Sequence, residues 1–171
     1  MPTIYDHIAK NKRNSLIIVG LFTAIISFLG YIFGEIFDPG YGFTYVGFAL
    51  IFSGITSFIS YYNSDKIVLA ISRAKEVPFE ANPYLHNLVD NMCIASGLPK
   101  PRVYMIDDTA MNAFATGRDP EHSVICFTSG IVAGLDKREL EGVVAHELSH
   151  IQNFDIRFMS IVSILVGTVT L

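Results

Sequence analysis

The sequence predicts an α+β membrane protein: an N-terminal hairpin of two transmembrane helices, a water-facing domain of helices around a small β-sheet, and the start of a third transmembrane helix at the C-terminus. Three observations predict it. Two uncharged stretches near the N-terminus are each long enough to cross a bilayer. Charge returns abruptly after Asn63, together with alternating strand-like and helical patterns. A further uncharged run begins at Phe158. Composition agrees, with 51% hydrophobic and only 16% charged residues, against about 25% charged in soluble domains. Such a chain is not disordered. A net charge of −4 without a large Lys/Arg cluster also excludes nucleic acid as a partner. Cys93 and Cys126 are too few for a disulfide scaffold and suit the core of a protein in a reducing compartment.

Taken in order, residues 1–14 form an N-terminal segment carrying Lys10, Lys12 and Arg13. Residues 15–34 hold no charge over 20 positions, which at ~1.5 Å per residue covers ~30 Å of hydrocarbon. The run is too long for a signal-peptide core and lacks a small-x-small cleavage site, so it reads as a span. Residues 35–42 make a tight turn containing Glu35, Asp38, Pro39 and Gly40. Residues 43–62 form the second span, with Tyr41 and Tyr45 at one end and Tyr61 and Tyr62 at the other, at headgroup level. Cations lie on both flanks (Lys10, Lys12, Arg13; Lys66, Arg73, Lys75) and none in the turn. By the positive-inside rule the flanks are cytoplasmic and the turn faces outward.

Residues 63–157 then form a cytosolic domain. Ser64-Asp65 opens a helix to about Lys75, with Ile67, Val68, Ile71 and Ala74 on one face, as a new helix or a continuation of the second span. Asn82-Pro83 is an N-cap and first-turn pair, Leu85, Leu88, Val89 and Met92 form a buried stripe, and Gly97 with Pro99 ends the helix. His86 reads as a surface or capping-region histidine. Residues 102–107 read as a strand, and 112–117 and 123–128 as two more in a hairpin with a longer loop. His122 at the margin of that loop reads as solvated. A short helix follows over 129–135. Residues 158–171, 14 uncharged positions, span only ~21 Å of helix and read as the start of a third span.

Asp136 and Glu139 have capping-box spacing. The helix they open carries His146-Glu147-Leu148-Ser149-His150, an H-E-x-x-H pattern. One helical turn apart, His146 and His150 project from the same face and reach one metal ion. Glu147, about 100° around from His146, borders that face without being a ligand. Two imidazoles and a third ligand leave one position open on Zn²⁺, where the pKa of water falls from 15.7 to ~7. The glutamate then serves as base toward the attacking water and as acid toward the leaving amine. A strand pair just upstream offers an exposed edge for an extended substrate. Asn153 and Ile156 stand where a long-motif metzincin has Gly and His, which excludes that class. Five charges within residues 136–141 place the helix beside the membrane, not inside it. A carboxylate third ligand of the thermolysin kind remains.

The residues around the motif resemble the HtpX-type membrane-bound zinc metalloproteases, relatives of the CAAX prenyl proteases. The resemblance covers essentially the whole chain. It is densest in residues 112–118, in Glu139-Leu140, in residues 142–150, and in Asn153 with Asp155. It implies a zincin-like domain behind two N-terminal spans, multi-pass in the cytoplasmic membrane with the catalytic domain in the cytosol. It also implies one Zn²⁺ per chain held by His146 and His150, with Glu147 catalytic. The implied activity is an endopeptidase that removes damaged or misfolded membrane proteins in quality control and stress response, its partners being membrane-protein or unfolded polypeptide substrates and the lipid bilayer. Asn112, Ala113, Phe114 and Ala115 match the strand expected beside bound substrate. Asp155 lies where it could orient a ligating histidine, or simply be a helix-end carboxylate near Arg157. The family's third ligand is a glutamate well downstream, and no acid follows Asp155 here. The chain is therefore expected to be an N-terminal fragment, its third ligand beyond residue 171, with little proteolysis of its own. The competing expectation is a membrane-anchored, non-catalytic scaffold or adaptor with a structural metal or none.

Overall fold

The computed structural model describes residues 4–170; residues 1–3 of the N-terminal segment and Leu171 of the C-terminal run lie outside them. The two apolar runs form α1 (Ile4–Phe37) and α2 (Gly42–Ile71), an antiparallel hairpin. Both are long and apolar enough to cross a membrane. Their outward side chains are bare: Leu16 is 67% and Phe43 81% exposed. The core helix of a soluble protein would bury such residues; here the solvent they suit is lipid. α1 begins well before its apolar run, so the cationic flank is helical too.

Small residues let the two helices meet. A Cβ placed on Gly34 would stand 2.8 Å from the Gly42 Cα, and one on Gly30 would stand 2.9 Å from the Ala49 Cβ. In lipid such close approach, rather than hydrophobic burial, drives helix association. Gly34→Leu is expected to wedge the hairpin apart and cost about 1–3 kcal/mol. Thermal unfolding in detergent checks this, with Gly20→Leu as the neutral control because nothing lies within 4 Å of a Cβ there. In the turn, the Glu35 carboxylate accepts from Gly40 N at 3.3 Å and Gly42 N at 3.2 Å, satisfying amides at the start of α2.

α2 kinks at Asn63 (φ −123°, ψ 19°), where charge returns, and then continues to Ile71. The expectation of helix to about Lys75 fails there. Arg73 adopts φ 53°, and Ala74 N–H closes on the Leu69 carbonyl at 3.0 Å, a left-handed helix ending. Lys75 instead lies in a two-residue strand, β1 (Lys75–Glu76), opposite Met105. A 3₁₀ turn (Phe79–Ala81) leads into α3 (Pro83–Ser96). Asn82 caps α3 by accepting from Leu85 N at 3.0 Å, and Gly97 ends it at φ 68°. His86 is half-buried; its Nε2 lies 2.7 Å from the Val77 carbonyl, tying α3 to the segment before it.

β2 (Arg102–Ile106), β3 (Ala113–Gly117) and β4 (Ser123–Thr128) complete a sheet of order β1-β2-β4-β3. β3 and β4 are the expected hairpin, with Phe114 opposite Cys126 and Thr116 opposite Val124. His122 closes a 3₁₀ turn (Pro120–His122) in that connection, exposed and with its Nδ1 2.7 Å from Asp119. β2 pairs parallel to β4. β4 is therefore central and buried throughout, while β3 is left at the edge. The short helix α4 (Ser129–Gly134) leads to the motif helix α5 (Lys137–Gln152), and α6 (Asp155–Thr170) follows. Leu85 and Val89 of α3, Ile125 and Phe127 of β4, and Leu140, Val144 and Ile151 of α5 fill one core. Cys93 and Cys126 are free and buried in the domain, and burial pushes their thiols up to about 11 and about 12, leaving them protonated and inert. α6 returns to the hairpin, packing Ile161 and Leu165 on Phe22.

Candidate active site

α5 is positioned by its own ends. Asp136 Oδ1 accepts from Arg138 N at 2.8 Å and Glu139 N at 2.9 Å, while Glu139 Oε2 accepts from Asp136 N at 2.9 Å. This is the reciprocal capping box that the spacing predicted. Leu140, Val144, Leu148 and Ile151 bury one face of the helix against the sheet and α3. That fixes the rotation of the helix and so the direction of its polar edge.

On that edge the two imidazoles converge. His146 Nε2 and His150 Nε2 are 3.2 Å apart, with ring planes at 86°. Two nitrogens each ~2.0–2.1 Å from a tetrahedral zinc ion stand about 3.3–3.4 Å apart, so the pair fits two corners of such a site. His150 Nδ1 lies 2.9 Å from Asp155 Oδ2. A carboxylate only accepts, so Nδ1 carries the hydrogen of this bond, and in the neutral ring Nε2 is then the nitrogen that can ligate a metal. Asp155 is brought back to His150 by a tight break between helices: Phe154, at φ 60°, ends α5 and lets α6 start at once. Lys12 lies 4.2 Å over the Phe154 ring, fastening α1 to the same junction. Among the described residues, no group of three or more His, Cys, Asp or Glu side chains is arranged to hold a metal; the two histidines stand as a pair.

Glu147 is 8% exposed and points between α5 and β3. Burial raises its carboxyl above the ordinary range, opposed by the neighbouring His150 and His146 and by the Ala115 N–H directed at it. Two cavities, of about 500 and 480 Å³, are both lined by Ala113 and Glu147. One extends along Phe114 and Ala115 to Val68 of α2 and Ser163 of α6. The other extends past Asn112 and His146 to Glu139. A groove thus follows the outer edge of β3 on either side of the glutamate. Of the four residues expected beside substrate, Ala113, Phe114 and Ala115 lie in β3, whereas the backbone of Asn112 is taken up by Thr128. The buried Thr116 hydroxyl, 2.9 Å from that of Ser160, ties β3 to α6. Sequence reading missed that bond, and missed Asn11, whose side-chain amide donates to Asp155; neither has a spacing that marks it.

A membrane-anchored α+β domain whose H-E-x-x-H helix lies beneath an edge strand defines the metallopeptidase class that the motif announced. Residues 80–171 match the profile of peptidase family M48, and the chain belongs to that family. It is 38% identical over 169 residues to the Protease HtpX homolog of Dictyoglomus thermophilum, covering 99% of this chain and 55% of that protein. It is 40% identical over 169 residues to the Protease HtpX homolog of Caldanaerobacter subterraneus, covering 99% of this chain and 56% of the relative. The Protease HtpX homolog of Tropheryma whipplei is 40% identical over 168 residues, covering 98% and 56%. The chain spans about half the length of the curated relatives it matches.

Proposed function

We propose that these residues are the anchoring and metal-binding part of a membrane-bound, zinc-dependent endopeptidase that acts on membrane or unfolded proteins in quality control. One observation carries the reading: two imidazole nitrogens 3.2 Å apart beside a buried glutamate, under the free edge of β3. His146 and His150 hold one Zn²⁺ per chain, with a third, carboxylate ligand from outside the described residues. Asp155 orients His150 through Nδ1. When bound, zinc supplies a Lewis acid that polarises the scissile carbonyl and acidifies water. The edge of β3 at Ala113, Phe114 and Ala115 aligns an extended substrate by backbone pairing, for which the Ala115 N–H exchanges the Glu147 carboxylate for a substrate carbonyl. Glu147 removes a proton from the attacking water as the new C–O bond forms. It returns that proton to the amide nitrogen as the C–N bond breaks. The cations flanking the hairpin favour a cytosolic domain, which suits the two unpaired cysteines in its core.

Purified full-length protein in detergent is expected to carry about one zinc per chain and to cleave an unfolded substrate such as casein until a chelator is added. Absence of any bound transition metal, or cleavage indifferent to chelation, sinks the reading and leaves a membrane-anchored scaffold.

A further inference from the structure

Asn11 stands in the cationic flank ahead of the first apolar run, on a part of α1 that hydropathy reads only as an anchor. Its side-chain amide leaves α1 and spends both hydrogens at the junction of α5 and α6. One goes to Asp155 Oδ1 and the other, at 3.0 Å, to the Asn153 carbonyl. The helix under it is held as well, because the buried Ser15 hydroxyl donates to the Asn11 carbonyl at 2.9 Å. Asp155 therefore has both oxygens engaged, Oδ1 by Asn11 and Oδ2 by the His150 Nδ1–H at 2.9 Å. A carboxylate pinned at one oxygen cannot swing about its own axis, and the ring bonded to its other oxygen loses the same freedom.

We propose that Asn11 is a positioning residue for the metal-binding ring of His150, acting through Asp155, so that the first membrane helix is a working part of the metal site and not only its tether. The inference rests on the zinc reading above and extends it to a residue 139 positions from His150 in the chain (150 − 11). The chemistry requires an amide. Leucine has similar volume but leaves Asp155 Oδ1 and the Asn153 carbonyl without their donor. Aspartate has the same shape but sets a second carboxylate against Asp155.

The test uses the full-length protein in detergent, with zinc affinity measured by competition against a chromophoric chelator and the His150 tautomer by ¹⁵N NMR of the metal-free protein. Asn11→Leu and Asn11→Asp are each expected to weaken zinc binding about 10-fold. Each is also expected to replace the single Nδ1–H tautomer of His150 by a mixture, which a purely structural loss would not do selectively. Should Asn11→Leu fail to insert, the isosteric Asn11→Asp gives the same comparison. Wild-type affinity together with a wild-type tautomer in the folded variants overturns the inference. If the parent protein binds no zinc, the reading of its function fails, while the metal-free tautomer still decides the role of Asn11.

Discussion

Glu147→Gln is expected to lower peptide-bond cleavage by the full-length protein about 10³-fold while leaving its zinc content unchanged. Glutamine keeps the shape of the side chain and an oxygen that accepts the Ala115 N–H, so the packing of a residue only 8% exposed is conserved. What it loses is the ability to take a proton from water and hand it on, a step worth about 10²–10⁴-fold in such reactions. The two imidazoles do not depend on that proton transfer, so metal stays. Steady-state cleavage of a quenched fluorogenic peptide, with zinc determined on the same preparation, checks both halves. Activity within 10-fold of the parent would remove the glutamate from the chemistry and with it the endopeptidase reading.

His150→Ala is expected to act on the other half of the site and abolish stable zinc retention. Zinc sites with four protein ligands bind with about 10–16 kcal/mol in all, so one ligand represents roughly 3–4 kcal/mol, or about 10²–10³-fold in affinity. His150 also carries the hydrogen bond to Asp155, so its loss frees the α5–α6 junction from the ring as well. His146→Ala should also lose zinc, because on the proposed reading its Nε2, 3.2 Å from that of His150, is the second ligand. Chelator competition on the detergent-solubilised protein gives the affinities directly. If either alanine variant keeps its metal through dialysis, the histidine pair is not the zinc site.

Much of this architecture was legible in the sequence because it is local. The hairpin follows from two uncharged runs, the start of α5 from Asp136 and Glu139, and the end of α3 from Gly97. The facing imidazoles follow from a spacing of four on a helix. The parts that stayed hidden depend on partners remote in the chain. β1 has two residues and exists only because Met105 and Tyr104 lie opposite it. Nothing near residues 102–106 announces a parallel pairing with residues 123–128. His86 finds Val77 only after the 3₁₀ turn folds the chain back. The small-residue contact of Gly30 and Gly34 was present in the sequence, but hydropathy does not say which face of an apolar helix meets its neighbour. The bond from Asn11 to Asp155 crosses 144 positions and has no local cause.

The parallel pairing of β2 with β4 also sets a timetable on the ribosome. β2 leaves the exit tunnel with β1 as its one available neighbour, and its other edge waits until the stretch opening at Ser123 has been made. The interval is about 20 residues, or roughly 1–4 s at 5–20 residues per second. Throughout it β2 has one paired edge and one open edge, and the sheet closes only when β4 arrives between β2 and β3.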